Sequence, residues 1–164
     1  MKIGSRVGRL WLLILALLVP LSADAQPRLP PDPSLSGPPL KFRAELSPDE
    51  ESHVTISPAT GVAEFMLKRE TMTLSWTIAF EKLKTPPTIA HAHGPQTPGG
   101  NAGILFPLAD GPIRSPIKGA VVLTEGQLDY LLTGRVYVNI HTQGYPDGEL
   151  RGQIMRVRTD RPTQ

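Results

Sequence analysis

Alternation of apolar and polar side chains at every second position is the feature that most constrains what this chain can fold into. In residues 72–80, Met, Leu, Trp, Ile and Phe alternate with Thr, Ser, Thr and Ala. Residues 135–141 repeat the pattern, with Val136, Val138 and Ile140 at alternate positions. Because successive side chains of a β-strand point to opposite faces, both runs predict half-buried antiparallel strands.

The remaining sequence favours short strands joined by turns. The chain contains 18 prolines and 15 glycines, which break helices and rule against a helical bundle. Residues 145–148 read Tyr-Pro-Asp-Gly, which is typical of a type I turn. Strands at this spacing predict an all-β sandwich or flattened barrel. Further strands are predicted at 41–46, 53–57, 62–68, 88–93, 102–106, 119–123 and 149–157.

One short helix is predicted near 124–132. Thr124 and Gln127 have the spacing of a capping box, in which each side chain bonds the other residue's backbone N–H. Leu128, Leu131 and Leu132 then form an apolar stripe at helical spacing, and Gly134 follows as a stop.

The N-terminus has the pattern of a secretory signal peptide. Three basic residues within 1–9 precede an apolar run at 10–21, and Ala-Asp-Ala at 23–25 forms a small-x-small cleavage site. We therefore predict a signal peptide over 1–25, an exported protein that is periplasmic or secreted, and no integral membrane span after cleavage. The alternative is an uncleaved N-terminal anchor, although the apolar run is shorter than the roughly 20 residues that a spanning helix needs.

Composition divides the rest into an arm, a domain and a tail. Residues 26–40 contain six prolines and predict an extended linker or arm, 41–158 the folded domain, and 159–164 a polar tail. The chain has no cysteine, so neither a disulfide nor a thiolate ligand is available. Without residues 1–25 the basic and acidic residues balance, which argues against a nucleic-acid partner.

Three of the four histidines form a candidate metal site. His91 and His93 are two residues apart on one predicted strand, so both imidazoles project from one face. If the strand over 135–141 passes beside them, His141 joins the group. Three nitrogens with an open position suit copper or zinc, whereas the alternative is that each histidine only orders a loop. His53 is interpreted as an exposed strand residue. A role as a fourth metal ligand is the less favoured alternative.

Two longer motifs resemble the CHRD (chordin) domain family. The first is Ala-His-Ala-His-Gly-Pro at 90–95 followed by Asn-Ala-Gly at 101–103. The second is Tyr-Val-Asn-Ile-His-Thr at 137–142 followed by Pro-Asp-Gly-Glu-Leu-Arg-Gly-Gln-Ile at 146–154. The resemblance covers about 41–157 and departs at 47–56, where the family usually carries a Gln-Glu-Val-Pro-Pro-like segment.

The resemblance implies a Greek-key sandwich of the immunoglobulin-like or superoxide-dismutase-like kind. In chordin such domains belong to a secreted antagonist of growth factors, so fold and compartment are implied more directly than activity. A more distant likeness is to copper–zinc superoxide dismutase, in which His91, His93 and His141 resemble three copper ligands. The bridging histidine, the other zinc ligands and the disulfide of that enzyme have no counterpart here.

Three polar residues near the histidines are candidates for support. Glu149 and Arg151 share a strand face, and Arg151 is expected to pair with a carboxylate such as Glu149 or to bond loop carbonyls. Glu149 or Asn139 could instead orient an imidazole. The acidic run at 49–51 is interpreted as a solvated loop.

Together these features predict a non-catalytic binding module with an unknown protein or glycan partner and with copper or zinc as candidate ions. One alternative is a copper-dependent superoxide dismutase-like enzyme. Another is a structural cell-envelope protein that associates through its sheet edges.

Overall fold

The computed structural model describes residues 37–158. The predicted signal peptide, residues 26–36 of the arm and the tail 159–164 lie outside the described residues. Nine strands and one α-helix follow in chain order: β1 (Leu40–Leu46), β2 (Thr60–Lys68), β3 (Thr73–Glu81), β4 (Pro87–His93), β5 (Ile104–Pro107), β6 (Ile117–Val122), α1 (Glu125–Leu132), β7 (Tyr137–Thr142), β8 (Leu150–Gln153) and β9 (Met155–Arg156).

The strands form two antiparallel sheets that pack as a sandwich. The larger sheet has the order β6-β3-β2-β1-β9 and the smaller sheet has the order β5-β4-β7-β8. The chain crosses between the sheets after β3, β5, β6 and β8, as Greek-key connections do. The prediction of an all-β sandwich is confirmed, and within residues 37–158 the sheets do not close into a barrel.

The core lies between the sheets and follows the alternation in the sequence. In β3, Leu74, Trp76 and Ile78 are buried while the residues between them are more exposed. The Trp76 ring stacks on Phe106 of the opposite sheet at a centroid distance of 5.9 Å, and its indole N–H donates to the Leu108 carbonyl at 3.0 Å. This side chain therefore joins both layers by apolar contact and satisfies its only donor.

Some predicted strands are wrong in place or in existence. Residues 53–57 form no strand, because Val54 and Ile56 face solvent and the segment is held instead by the Tyr145 hydroxyl, which donates to the Ile56 carbonyl. The strand predicted over 149–157 is divided at Ile154, which lies between β8 in one sheet and β9 in the other. The strand predicted from 102 begins at Ile104.

The short helix forms where the sequence predicts it. Thr124 accepts from the Gln127 N–H while the Gln127 side chain accepts from the Thr124 N–H, so the predicted capping box is present. Gly134 has φ +69°, which suits the turn after a helix. Leu131 is buried, whereas Leu132 is largely exposed, so the apolar stripe is narrower than predicted.

A contact between the edges of the two sheets places the segment after β1 near the histidines. Ser47 and Arg151 exchange two backbone hydrogen bonds of 2.9 and 3.2 Å. Gly152 permits this approach, because a Cβ there would overlap the backbone of Glu45. The 3₁₀ turn Pro48–Glu50 follows at once and delivers Glu51 to the outer face of the smaller sheet.

Candidate metal centre

Two adjacent strands bring the three histidines together. In the antiparallel pairing of β4 with β7, His93 lies opposite Tyr137 and His141 lies opposite Ile89. The ring centroids of His91, His93 and His141 are 5.7, 5.9 and 6.1 Å apart, and one ligand nitrogen of each lies within 4.8 Å of the others. The expected convergence of the three imidazoles is therefore present on the outer face of the smaller sheet.

Backbone carbonyls orient two of the imidazoles. Nδ1 of His93 lies 3.1 Å from the Ala102 carbonyl oxygen, and Nδ1 of His141 lies 2.8 Å from the Pro146 carbonyl oxygen. Because a carbonyl only accepts, the proton is assigned to Nδ1 in both rings, which in a neutral imidazole leaves the lone pair on Nε2. Both Nε2 atoms are buried and have no hydrogen-bond partner within residues 37–158. Sequence patterns missed these carbonyls because any residue type supplies one.

The environment of His91 and His93 favours the neutral imidazole, which is the form that binds metals. Burial lowers the pKa of His91, and the neighbouring His141 lowers it further. Burial also lowers the pKa of His93, partly opposed by the hydrogen bond to Ala102. Neutral imidazole is the metal-ligating form, so these two rings need not lose a proton near neutral pH before they coordinate an ion.

A polar cleft of about 350 Å³ opens beside His93 and His141. His53 lines this cleft, although it is not one of the three clustered histidines. Its predicted place on an exposed strand is wrong, because the segment is irregular and the side chain is half-buried. The other lining residues are Ser52, Asn101, Ala102, Tyr137, Asn139 and Asp147.

Arg151 supports the loop over the histidines and does not pair with Glu149. Its guanidinium is buried and donates to the Gly100 carbonyl and to Asn101 Oδ1, the latter at 3.0 Å. Its central carbon lies 3.8 Å from the centroid of the Tyr137 ring. Tyr137 in turn stacks on His93, with centroids 5.0 Å apart and planes 8° apart. Arg151 thus bonds the loop and lies at the base of this ring stack.

Glu149 is fully buried, and within residues 37–158 it forms no hydrogen bond with a histidine side chain. Its carboxylate accepts from the Ser57 hydroxyl at 2.6 Å, the Lys84 N–H at 2.7 Å and the Thr142 hydroxyl at 2.6 Å. The residue therefore ties two loops to the end of β7, next to His141.

The environment of Glu51 differs from the one that the sequence predicts. It was expected in a solvated acidic loop, but it is half-buried and its Oε2 accepts from Asn139 Nδ2 at 3.4 Å. Burial raises the pKa of Glu51 to about 7, although the positive charge of Arg151 opposes that shift. The edge contact of the two sheets puts it there, which local sequence does not encode.

Residues 37–158 thus define a two-sheet β-sandwich with a three-histidine cluster on the outer face of its smaller sheet. The chain belongs to the CHRD domain family, whose model matches residues 42–154. This match confirms the resemblance in the two sequence motifs. No curated protein and no solved structure matches the chain significantly. CHRD domains occur in extracellular proteins. Among the helices of the described residues, none has the length and apolar character needed to cross a membrane.

Proposed function

We propose that this chain is an exported binding module in which His91, His93 and His141 bind one zinc or copper ion. The proposal is supported by the convergence of three imidazole nitrogens, together with the buried Nε2 atoms of His93 and His141, which have no hydrogen-bond partner within residues 37–158. A buried acceptor left unpaired costs free energy, and a metal ion would remove that cost for both atoms at once.

The donor set fits these ions by its chemistry. Imidazole nitrogen suits zinc and copper, and three protein ligands with an open position characterise sites that also hold water or an exogenous ligand. Metal–nitrogen bonds of about 2.0–2.1 Å require nitrogens roughly 3.4 Å apart in a tetrahedral site. The ligand nitrogens lie within 4.8 Å of one another, so ring rotations that are at most small would give this spacing.

A copper-dependent, superoxide dismutase-like enzyme is the second candidate. The cleft beside His93 and His141 favours it, because a small oxidant needs access to the open position of the ion. The module we propose as the first candidate binds its protein or glycan partner without turnover.

The test is a calorimetric titration of the metal-free protein with zinc and with copper(II), together with copper electron paramagnetic resonance. We expect one ion per chain, with nitrogen hyperfine structure from the histidines. The variants His91→Ala, His93→Ala and His141→Ala should each weaken binding by more than about 100-fold, which exceeds the effect of changes outside the ligand set. His53→Ala is the matched control, because it removes an imidazole from the same cleft and should leave the affinity unchanged.

The outcomes separate the alternatives. Absence of saturable binding would rule out the proposed site, and an equal loss in His53→Ala would rule out a site limited to these three histidines. Copper binding with superoxide turnover that is lost in His141→Ala would establish the enzyme. If the protein self-associates to the same extent in all three histidine variants and binds no metal, a structural protein that associates through its sheet edges would be favoured.

A further inference from the structure

Four buried side-chain acceptors lack a hydrogen-bond partner within residues 37–158, and all four surround the same region. Two are the Nε2 atoms of His93 and His141, already accounted for by the metal proposal. The others are Oε1 of Glu51 and Oδ1 of Asn139. A pair of oxygens without donors needs its own explanation, because buried acceptors in native proteins are nearly always satisfied.

The orientation of the Asn139 amide fixes which atom is left unpaired. The residue is only 5% exposed, and its Nδ2 donates to Glu51 Oε2 and to the Asp147 carbonyl, each at 3.4 Å. The reverse orientation would set the amide oxygen against two other oxygens, so it is unfavourable. Asn139 Oδ1 therefore remains a buried acceptor without a partner within residues 37–158, on a residue that lines the cleft beside the histidines.

The two oxygens meet at the position that a side chain of residue 148 would occupy. This glycine has φ +133°, and a Cβ added to it would overlap both Glu51 Oε1 and Asn139 Oδ1. By that geometry the two oxygens lie within about 5 Å of each other, which is within reach of one ion bound at 2.3–2.6 Å. Asp147 is an exposed residue that lines the same cleft as Asn139, and its charge acts on Glu51.

We propose that Glu51, Asn139 and Asp147 form a calcium site next to the three-histidine cluster. Carboxylate, amide and carbonyl oxygens are the ligands that calcium prefers, whereas the neighbouring imidazoles prefer transition metals. The proposal rests on the oxygen atoms alone and does not depend on metal binding by the histidines.

The charges present predict a weak site. Glu51 and Asp147 supply two negative charges, and the nearby Arg151 guanidinium offsets one of them. Calcium takes 6–8 oxygens, so water must complete the shell. We expect a dissociation constant of about 0.1–1 mM, the range of extracellular calcium modules. Magnesium should bind more weakly, because it requires a tight octahedron and loses its water reluctantly.

The experiment is a calcium chloride titration of chelator-treated full-length protein at pH 7.5, followed by calorimetry and by thermal unfolding. We expect saturable binding and a melting temperature that rises by about 5–10 °C at 10 mM calcium, with a smaller rise in magnesium. Glu51→Gln and Asp147→Asn should each weaken calcium binding by about 10-fold or more, because each removes a charged ligand. Glu50→Gln is the matched control, because this exposed residue adjoins Glu51 and should leave binding unchanged.

Further variants and outcomes of the same titration test the calcium site. The triple change of His91, His93 and His141 to Ala should retain calcium binding, so the calcium and transition-metal sites can fail separately. If Glu51→Gln does not fold, Asp147→Asn decides, because its side chain is exposed. No saturable calcium response, or an equal response in Glu51→Gln and Glu50→Gln, would overturn the proposal. A proton on Glu51, donated to Asn139 Oδ1, would then satisfy both oxygens.

Discussion

Replacement of Glu149 should be among the most destabilising single changes in this domain. The side chain has no solvent exposure, and its carboxylate accepts hydrogen bonds of 2.6, 2.7 and 2.6 Å. Two of the donors are themselves acceptors: the Ser57 hydroxyl accepts from the Ala59 N–H, and the Thr142 hydroxyl accepts from the Tyr145 N–H. The carboxylate thus ends two chains of hydrogen bonds that hold loops on either side of β7.

The magnitude follows from these three bonds. A hydrogen bond to a charged group contributes about 1.5–3 kcal/mol, and a buried N–H left without an acceptor costs about 1–3 kcal/mol. Glu149→Ala removes all three bonds, leaves the Lys84 N–H unpaired and opens a cavity, so we expect a loss of at least about 4 kcal/mol. Glu149→Gln keeps the volume and can still accept from Ser57 and Lys84, so we expect about 1–2 kcal/mol.

The assay is urea unfolding of both variants, with the free energy extrapolated to water and the slope compared with that of the wild type. For a domain of this size 1 kcal/mol corresponds to roughly 4 °C, so Glu149→Ala should lower the melting temperature by about 15 °C. Glu81→Ala is the control, because Glu81 is exposed and its one ion pair within residues 37–158 is with Lys82 at 3.3 Å. Its effect should stay within about 0.5 kcal/mol.

A double-mutant cycle tests the assignment to particular bonds. Thr142→Val removes one donor, and combining it with Glu149→Gln should give a coupling of about 1 kcal/mol. The reasoning would be refuted if Glu149→Ala cost under 1 kcal/mol, or if Glu149→Gln were as damaging as Glu149→Ala.

Three further expectations can be checked by the same unfolding assay. The raised pKa of Glu51, about 7 against an ordinary 4.5, means that the folded state keeps a proton that the unfolded chain has lost. The contribution of Glu51 to stability in the presence of a chelator should therefore fall as pH rises from 4.5 to 7, by on the order of 2 kcal/mol after solvent screening. The lowered pKa values of His91 and His93 act in the opposite direction as pH rises to 6.5, so the fall is measured as the difference between the wild type and Glu51→Gln. Glu51→Gln should abolish that fall, while neutralising the like charge of Asp147 should reduce it. A variant with the wild-type pH profile would show that burial is not the cause. Gly148→Ala should cost about 1–3 kcal/mol, because φ is +133° and the added Cβ has no room; no measurable loss would contradict the packing beside Gly148. Thr124→Ala should cost about 1 kcal/mol by removing the helix cap, and an unchanged midpoint would mean that the cap contributes nothing.

Local sequence was sufficient where a residue's role depends on its near neighbours. The alternation in β3 predicted which side chains enter the core, because a strand reverses its side chains at each residue. The capping box of α1 was readable because both partners lie within one turn. Residues 53–57 show a similar alternation but form no strand, because the segment pairs with no other strand of the described residues.

In the candidate site, too, local sequence predicts some features and tertiary contacts determine the others. The sequence by itself put His91 and His93 on one face of a strand, since that follows from the period of two. Only the pairing of β4 with β7 decided that His141 joins them. Only the contact between the sheet edges at Ser47 brought Glu51 to Asn139, across 88 residues of chain. Such contacts depend on strand order and on loops that meet in space, and no local pattern of residues records either.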